Sequence, residues 1–546
     1  MTRVTDHLII LPIVLPLVVG AALLLLDEQR RTLKAAINVG STFALVVIAA
    51  ALLQMADASA NDPVRASIGV YRLGDWPAPF AIVLVLDRLS ALMLLLTSIL
   101  AAASVVFSLA RWHRAGAYFN ALFQFLLMGV NGAFLTGDLF NLFVFFEVLL
   151  AASYGLALHG SGAPRVKAGL HYIAINLGAS LLFLIGVSLI YAVAGTLNMA
   201  DLAARIPNIP AESQALLEMG AGLLGVAFLI KAGMWPLCFW LPPTYAAAAP
   251  PVAAIFAIMT KVGAYAVLRL WLLLFSVDAG ASAQFGGGWV LVGGLLTIAF
   301  GAIGSLASQD LPRLASYSVL VSSGTVLAAT GMGQVGVTGG ALFYLVSSTL
   351  GLGALFLLVE LVERGREPSE YMLLEEREAA QDGFDLDEEV GIAIPATMAL
   401  LGLSFMGCAL VIAGLPPLST FIAKFALLTA ALNPSGTAQG GSTVPAVSWA
   451  LLIMLLLSGL AAIIAMTRLG IRGFWAPLDR AVPRVRLIEI APVIGLLLLC
   501  AIQTVQAGPI MRYMRATAES LHAPREYIGS VLPRPVNQGA RKGGTP

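Results

Sequence analysis

The chain is 546 residues long, with 59% hydrophobic residues, 11% charged residues and a formal net charge of +1. A typical soluble domain carries roughly 25% charged residues, so this composition excludes a string of soluble domains and describes a polytopic helical membrane protein. A charge so near zero offers nothing to nucleic acid, and the three scattered cysteines, Cys238, Cys408 and Cys500, point to neither a disulfide framework nor a metal site.

The N-terminal run MTRVTDHLIILPIVLPLVVGAALLLL has few positive charges and no small-residue cleavage pattern, so it reads as a retained first span rather than a signal peptide. Apolar runs of about 17–25 residues mark membrane crossings. Fourteen follow in order: 8–26, 35–56, 89–110, 118–136, 139–159, 169–194, 217–242, 248–276, 288–306, 314–333, 338–361, 393–432, 447–467 and 489–506. The long polar connections are 57–88, 195–216, 362–392 and the tail after 507, with no soluble domain between them.

Short loops retain Lys and Arg on the cytoplasmic side. The first, third and fifth loops carry Arg30, Arg31 and Lys34, then Arg111 and Arg114, then Arg165 and Lys167. The ninth carries Arg313 and the thirteenth a group from Arg468 to Arg486, whereas the short fourth, eighth, tenth and twelfth have none. That asymmetry places both termini outside the cytoplasm, although the basic tail (Arg512, Arg515, Arg525, Arg534, Arg541, Lys542) argues the other way. The 362–392 connection sets eleven acidic residues against Arg364, Arg366 and Arg377. It is either a solvated linker or a docking surface for a neighbouring membrane protein of the same complex, and its DGFDLDEE run lacks the spacing of a calcium-binding loop.

Two spans are interrupted. In LIKAGMWPLCFWLPP, Pro236, Pro242 and Pro243 fall within the seventh. In ALVIAGLPPLSTFIAKF, Gly414, Pro416 and Pro417 divide the twelfth, whose run of about 40 residues is too long for one straight crossing. Proline inside a membrane helix frees backbone groups, which is tolerated where protein or water meets them again. Paired interruptions five spans apart fit two inverted five-helix repeats. These would cover 118–280 and 281–470, between an N-terminal three-helix segment (1–117) and a last helix with a basic tail (471–546). The expected fold is therefore an all-α polytopic membrane protein of about 14 transmembrane helices, broken at the seventh and twelfth.

Only six lysines occur, and three of them, Lys231, Lys261 and Lys424, lie inside spans, whereas the 25 arginines sit almost entirely in loops and span ends. Arginine stays protonated nearly everywhere, while a buried lysine can exchange a proton near neutral pH. Titratable charge therefore calls for lysine. Glu147, within DLFNLFVFFEVLLAASYG, is the only acidic residue deep in a span. A carboxylate there costs on the order of 3 kcal/mol or more and normally faces a polar pathway or a paired charge. A Glu147–Lys231 pair would hold the lysine charged; loosening it would release a proton toward Lys261, and Lys424 would serve the second half. Static ion pairs, or lysines reaching out to the interface, are the plain alternative.

The remaining candidates are open to structural readings. His171, followed by Tyr172 and Asn176, suits either a proton relay or a packed histidine. Asp138 reads as a helix cap, Ser347, Ser348 and Thr349 as hydroxyls bonded to their own backbone, and Cys238 as a small buried apolar residue. No Walker sequence, CxxC cluster or GxGxxG after a strand occurs, so no cofactor is expected. A lone Glu147 supplies too few oxygens for a dehydrated Na⁺.

The runs DLFNLFVFFEVLLAASYG, RVKAGLHYIAINLGASLLFLIG, KAGMWPLCFWLPPTYAAAAPPVAAIFAIMTKVGAYAVLRLW and GLPPLSTFIAKF resemble the D subunits of the Mrp/Pha-type multisubunit cation/proton antiporters, over about residues 8 to 470. That family is homologous to the antiporter-like proton-pumping subunits of respiratory complex I. The resemblance implies a fourteen-helix fold, a bacterial cytoplasmic membrane location, other membrane subunits as partners, and exchange of Na⁺ or K⁺ for H⁺. It matches Glu147 to the family's fifth-helix glutamate and Lys231, Lys261 and Lys424 to its seventh-, eighth- and twelfth-helix charges. The lysine at 424, often glutamate in complex I relatives, favours an antiporter D subunit over a proton-pumping subunit of an NADH:quinone oxidoreductase or membrane-bound hydrogenase. Departures are Cys238 and Ser347, where histidines are usual, and Pro243, where an acidic residue is common. The second half would then rely on water held by Ser347 and Ser348.

Overall fold

The structure, a computed structural model, describes residues 4–27, 29–61, 68–78, 82–364, 396–433, 444–475 and 485–532. Its first half runs α1 (Leu11–Leu25), α2 (Arg31–Asn61), β1 (Gly69–Arg72), β2 (Val83–Leu86), α3 (Arg88–Ser108), α4 (Phe119–Leu135), α5 (Leu139–Ala157), α6 (Ala163–Ala194), α7 (Met199–Arg205), α8 (Ala211–Ala232), α9 (Leu241–Ala247) and α10 (Pro250–Leu274). The second runs α11 (Gly287–Ala307), α12 (Leu311–Met332), α13 (Val335–Glu363), α14 (Ala396–Ala413), α15 (Ser419–Leu432), α16 (Ala446–Gly470), α17 (Leu487–Val505), α18 (Ala507–Leu521) and α19 (Pro524–Val531). Among the described residues, twelve helices are long and apolar enough to cross a membrane, and α1, α4 and α15 are shorter apolar helices.

Membrane helices can be covered by lipid or by other helices; α10 and α13 are covered by other helices, both being buried along the whole of their most apolar stretch. α10 lies against α3, α8, α12 and α13, and α13 in turn meets α14, α15, α17 and α18. These two central helices carry Lys261 and the Ser347–Ser348 pair. Helix association in lipid depends on close packing at small residues. At Gly263 a Cβ would stand only 2.5 Å from the Ala232 nitrogen, so α10 touches the backbone at the very end of α8.

The two interruptions are built alike. α8 gives way at Gly233, left-handed with φ 70°, and the chain turns through Pro236 before α9 begins at Leu241. α14 gives way at Gly414, φ 75°, and α15 begins beyond Pro416 and Pro417. Backbone groups freed at the first break find partners, as they must inside a membrane. The Trp240 indole donates to Ile230 O at 3.1 Å, Ser323 donates to Ala232 O, and the Trp235 N–H donates to Thr297 Oγ1 at 2.9 Å.

Helix ends and loops form two faces. On one, β1 and β2 pair as an antiparallel hairpin, Gly69 opposite Leu86 and Arg72 opposite Val83. Asp138 caps α5 by accepting from Phe140 and Asn141, and Asn198 caps α7 in the same way through Ala200 and Asp201. The described part of the 57–88 connection is therefore structured rather than merely polar. So is the described part of the tail after 507, which forms α18 and α19. Met514, Ala518, Leu521, Tyr527 and Val531 turn inward while the arginines stay out, a two-sided pattern suited to lying along a surface. Tyr513 donates to Arg88 O at 2.8 Å, Arg72 donates to Val531 O at 3.2 Å, and Arg525 pairs with Asp278. Near the N-terminus, His7 Nδ1 lies 3.2 Å from the Tyr71 hydroxyl on the same face.

The opposite face gathers the basic loops. Arg111 pairs with Glu360 at 2.6 Å, and Arg364 bridges Glu360 and Glu489. The Trp112 indole donates to Glu360 at 2.6 Å, and Arg468 donates to the Leu306 and Ser308 carbonyls. Nearly all of the acidic 362–392 connection lies outside the described residues, as do Arg480, Arg484, Arg534, Arg541 and Lys542.

One pH effect follows from the tail. Burial holds the His522 imidazole, 3.1 Å from Thr338 Oγ1, below its ordinary value of 6.5. A released tail protonates at that ordinary value, so docking is fully favoured above it and weakens as pH falls through and below it. Amide exchange across 507–531, corrected for intrinsic rates, is expected to be slower at about pH 7.5 than at about pH 5.5. Equal protection at both would remove His522 from the docking energetics.

Candidate functional site

Glu147, Lys231, Lys261 and Lys424, the charged residues singled out in the sequence, are each placed by a different local device. Glu147 projects from α5 beside α6, where its carboxylate accepts from the Ser180 hydroxyl. Lys231 is the penultimate residue of α8, next to the break. It is 6% exposed, and its Nζ has no hydrogen-bond partner among the described residues. The ammonium sits 5.0 Å from the centre of the Phe146 ring, one residue from Glu147. Phe146, Phe183 and Phe228 pack together around this point, with ring centres 5.3 to 6.0 Å apart. The direct Glu147–Lys231 ion pair expected from the sequence is thus not made in this structure. Glu147 is hydrogen-bonded to Ser180, and an aromatic face meets the ammonium instead.

Lys261, at the centre of α10, is wholly buried and donates to Ser322 Oγ of α12 at 2.7 Å. Ser322 is in turn 2.7 Å from Ser348 Oγ of α13. Three polar groups on three helices therefore form one hydrogen-bonded line leading from the first half toward the second. Ser322 and Ser348 open into a small cavity of about 20 Å³ that also reaches Ser318, Tyr344, Thr420 and Ser458. Thr420 stands one turn before Lys424. The Lys424 ammonium donates to Ala413 O at 2.9 Å, the carbonyl end of α14. A Cβ on Gly414 would lie 2.8 Å from that nitrogen, so the glycine leaves room for the ammonium as well as adopting a positive φ.

The other sequence candidates fall apart in space. Ser348 joins the Lys261 line, but Ser347 turns to the far side of α13 and donates to Gln503 at 2.8 Å. His171 is exposed on α6 and makes no hydrogen bond among the described residues. Cys238 is fully buried. Ser322 and Ser180 went unnoticed in the sequence. The one signal for Ser322 is the run SYSVLVSSGT, a density of hydroxyls unusual for a span. Nor does the sequence announce Arg269, which forms a buried two-point ion pair with Asp87 at the hairpin end of α10.

A multi-pass helical membrane protein with lysines strung between two broken helices is the class that this fold and site define. The chain belongs to the NADH:quinone oxidoreductase/Mrp antiporter family, whose transmembrane family model matches residues 136–439. It is 60% identical over 538 residues to the D subunit of a probable K(+)/H(+) antiporter of Rhizobium meliloti (strain 1021), covering 98% of this chain and 99% of the relative. The Na(+)/H(+) antiporter D subunit of Alkalihalophilus pseudofirmus is 34% identical over 534 residues, 96% of this chain and 99% of that one. A chain in the solved Mrp complex from Dietzia sp. DQ12-45-1b superposes with a TM-score of 0.81 at 25% identity, covering 97% of this chain and all of that one. The likeness to these antiporter proteins thus extends well beyond residues 8–470.

Proposed function

We propose that this chain is the D subunit of a hetero-oligomeric antiporter that exchanges K⁺ or Na⁺ for H⁺ across a bacterial cytoplasmic membrane, with other membrane subunits as its partners. It acts as a secondary transporter rather than an enzyme, with the proton motive force as its energy source. The observation that carries this reading is the line Lys261–Ser322–Ser348 opening into a hydroxyl-lined cavity beside Lys424. Hydroxyl groups both donate and accept, so they can hand a proton along without holding charge themselves. Lys231, with no fixed hydrogen-bond partner among the described residues, is free to change one. It takes a proton while Glu147 is turned toward it and gives it up toward Lys261 when Ser180 holds the carboxylate. From Lys261 the proton passes by Ser322, Ser348 and the cavity to Lys424.

Fourteen crossings suit this arrangement, because both described ends lie on the hairpin face and an even number of spans returns a chain to its starting side. The repeats at 118–280 and 281–470 each contain one break and end their proton groups on lysine. The basic face is cytoplasmic. The family description also names NADH:quinone oxidoreductase, so a proton-pumping subunit of that enzyme or of a membrane-bound hydrogenase is the second reading.

Dequenching of a pH dye in vesicles carrying the whole complex separates the two. Added K⁺ or Na⁺ is expected to collapse an imposed pH gradient, and Lys261→Arg, which keeps the charge but cannot release a proton, is expected to abolish the response. A wild-type complex that ignores both cations, yet acidifies vesicles on addition of NADH, would overturn the antiporter reading.

A further inference from the structure

We propose that the hydroxyl-lined cavity enclosed by α11 to α16 is itself a monovalent-cation site, and that a bound K⁺ and the Lys424 ammonium occupy this region in turn. The inference deepens the antiporter reading and rests on it, since Lys424 is the proton carrier that the cation opposes.

An alkali cation that leaves water needs a shell of oxygens. Ser318, Ser322, Tyr344, Ser348, Thr420 and Ser458 supply hydroxyls from four helices around one cavity. Two of these direct their protons away: Ser318 donates to Leu314 O at 2.9 Å and Ser458 to Leu455 O at 3.0 Å, which leaves their lone pairs available. Thr420 supplies the strongest indication of a ligand. Its Oγ1 is buried, the residue being 1% exposed, and it has no hydrogen-bond partner among the described residues although it lines the cavity. A buried oxygen left unmatched costs stability, and a cation is one of the few groups that would match it without donating a hydrogen bond.

The adjoining helix end already binds positive charge. Val411 and Ile412 of α14 line the cavity, and Ala413 O holds the Lys424 ammonium. The carbonyl end of a half-helix favours cations, so the ammonium occupies a place that a free cation would also suit. Two positive charges so close in a poorly solvated setting repel strongly. Cation entry therefore requires Lys424 to give up its proton, and protonation of Lys424 expels the cation, which is exchange.

One further charge obeys the same rule: the Lys261 ammonium donates to Ser322 on the cavity wall, so the cation also favours a neutral Lys261. α13 contributes Tyr344, α14 and α17 contribute the buried Cys408 and Cys500, and α10 contributes Lys261 through Ser322. α11 and α12 present hydroxyls to the cavity, and Arg468 of α16 is held at its far end by Leu306 and Ser308. Among the described residues, no carboxylate lines the cavity. Neutral oxygens repay the dehydration of K⁺ more fully than that of the smaller, more tightly hydrated Na⁺, so K⁺ is the expected ion.

Equilibrium binding of K⁺ to the purified whole complex, followed with Rb⁺ as tracer, tests the proposal. One ion per copy of this chain is expected to bind at about pH 9 and to leave at about pH 6, as a buried lysine takes up its proton. Thr420→Val with Ser458→Ala should weaken binding about tenfold. Lys424→Arg, with its charge fixed, should abolish this binding at both pH values, and Lys424→Met should bind the ion more tightly than wild type at about pH 6, leaving only the pH dependence that Lys261 contributes through Ser322. Unchanged affinity in the Thr420→Val/Ser458→Ala protein, or full binding in Lys424→Arg, would overturn the cation site. Neither outcome touches the proton path, whose failure would show instead as wild-type exchange in Lys261→Arg.

Discussion

Lys231→Ala is expected to lower cation-driven proton movement by at least about a hundredfold, the scale of loss when a positioned proton-transfer group is removed. The complex should still assemble in normal amount. Two features of the structure separate these effects. The ammonium has no hydrogen-bond partner among the described residues, so its removal leaves no donor or acceptor stranded; an alanine there even relieves the burial of an unmatched charge. The break that follows is held by Trp240 on Ile230 O and Ser323 on Ala232 O, neither of which involves the lysine side chain. Dye dequenching in vesicles, set against subunit content on a native gel, reads both quantities. Exchange at the wild-type rate would take Lys231 out of the path. Glu147→Gln should lose activity in the same assay, because an amide cannot attract the ammonium away from the Phe146 ring.

The largest structural effect is expected at a residue with no chemistry at all. Gly263→Leu should prevent the chain from accumulating in the membrane. A Cβ there would lie 2.5 Å from Ala232 N and 2.9 Å from the Lys231 carbonyl carbon, and both are backbone atoms that cannot swing aside. The helices α8 and α10 must therefore separate, at a cost of about 1–3 kcal/mol or more for overpacking alone. Their separation also pulls Ala232 O from Ser323 and shifts Lys231 relative to Lys261. Immunoblots of membrane fractions and the melting temperature of any purified complex measure the outcome. Wild-type abundance together with wild-type melting would show that the two helices have more room than described.

How legible this was in the sequence depended on the kind of signal. Long apolar runs reveal spans because lipid leaves few alternatives, and the proline and glycine clusters at 236–243 and 414–417 reveal breaks for the same reason. The three buried lysines stand out because little else in those runs is charged. Ser322 does not, because a serine in a membrane helix normally bonds its own backbone, and only the position of α12 beside α10 makes it the partner of Lys261. The missing Glu147–Lys231 contact has a similar cause: nothing in the sequence says that Phe146 faces α8 and Ser180 faces Glu147. The helical tail was hidden by its mixed composition, since hydropathy detects helices that cross a bilayer better than helices that lie along it. Ion pairs such as Asp87–Arg269 and Arg364–Glu489 join residues at span ends far apart in the chain, where a charge is unremarkable until its partner is placed.

The clasp between the tail and the hairpin face carries a consequence for how the protein is made. Arg72 and Val531 are separated by 459 positions, and Arg88 and Tyr513 by 425. At a synthesis rate of about 5–20 residues per second, the hairpin and the start of α3 wait on the order of half a minute or more for the segment that covers them. During that interval the early helices are already in the bilayer while one flank of their assembly stands open. The clasp therefore closes late relative to the hairpin, and damage to α18 or α19 would be felt at residues translated more than 400 positions earlier.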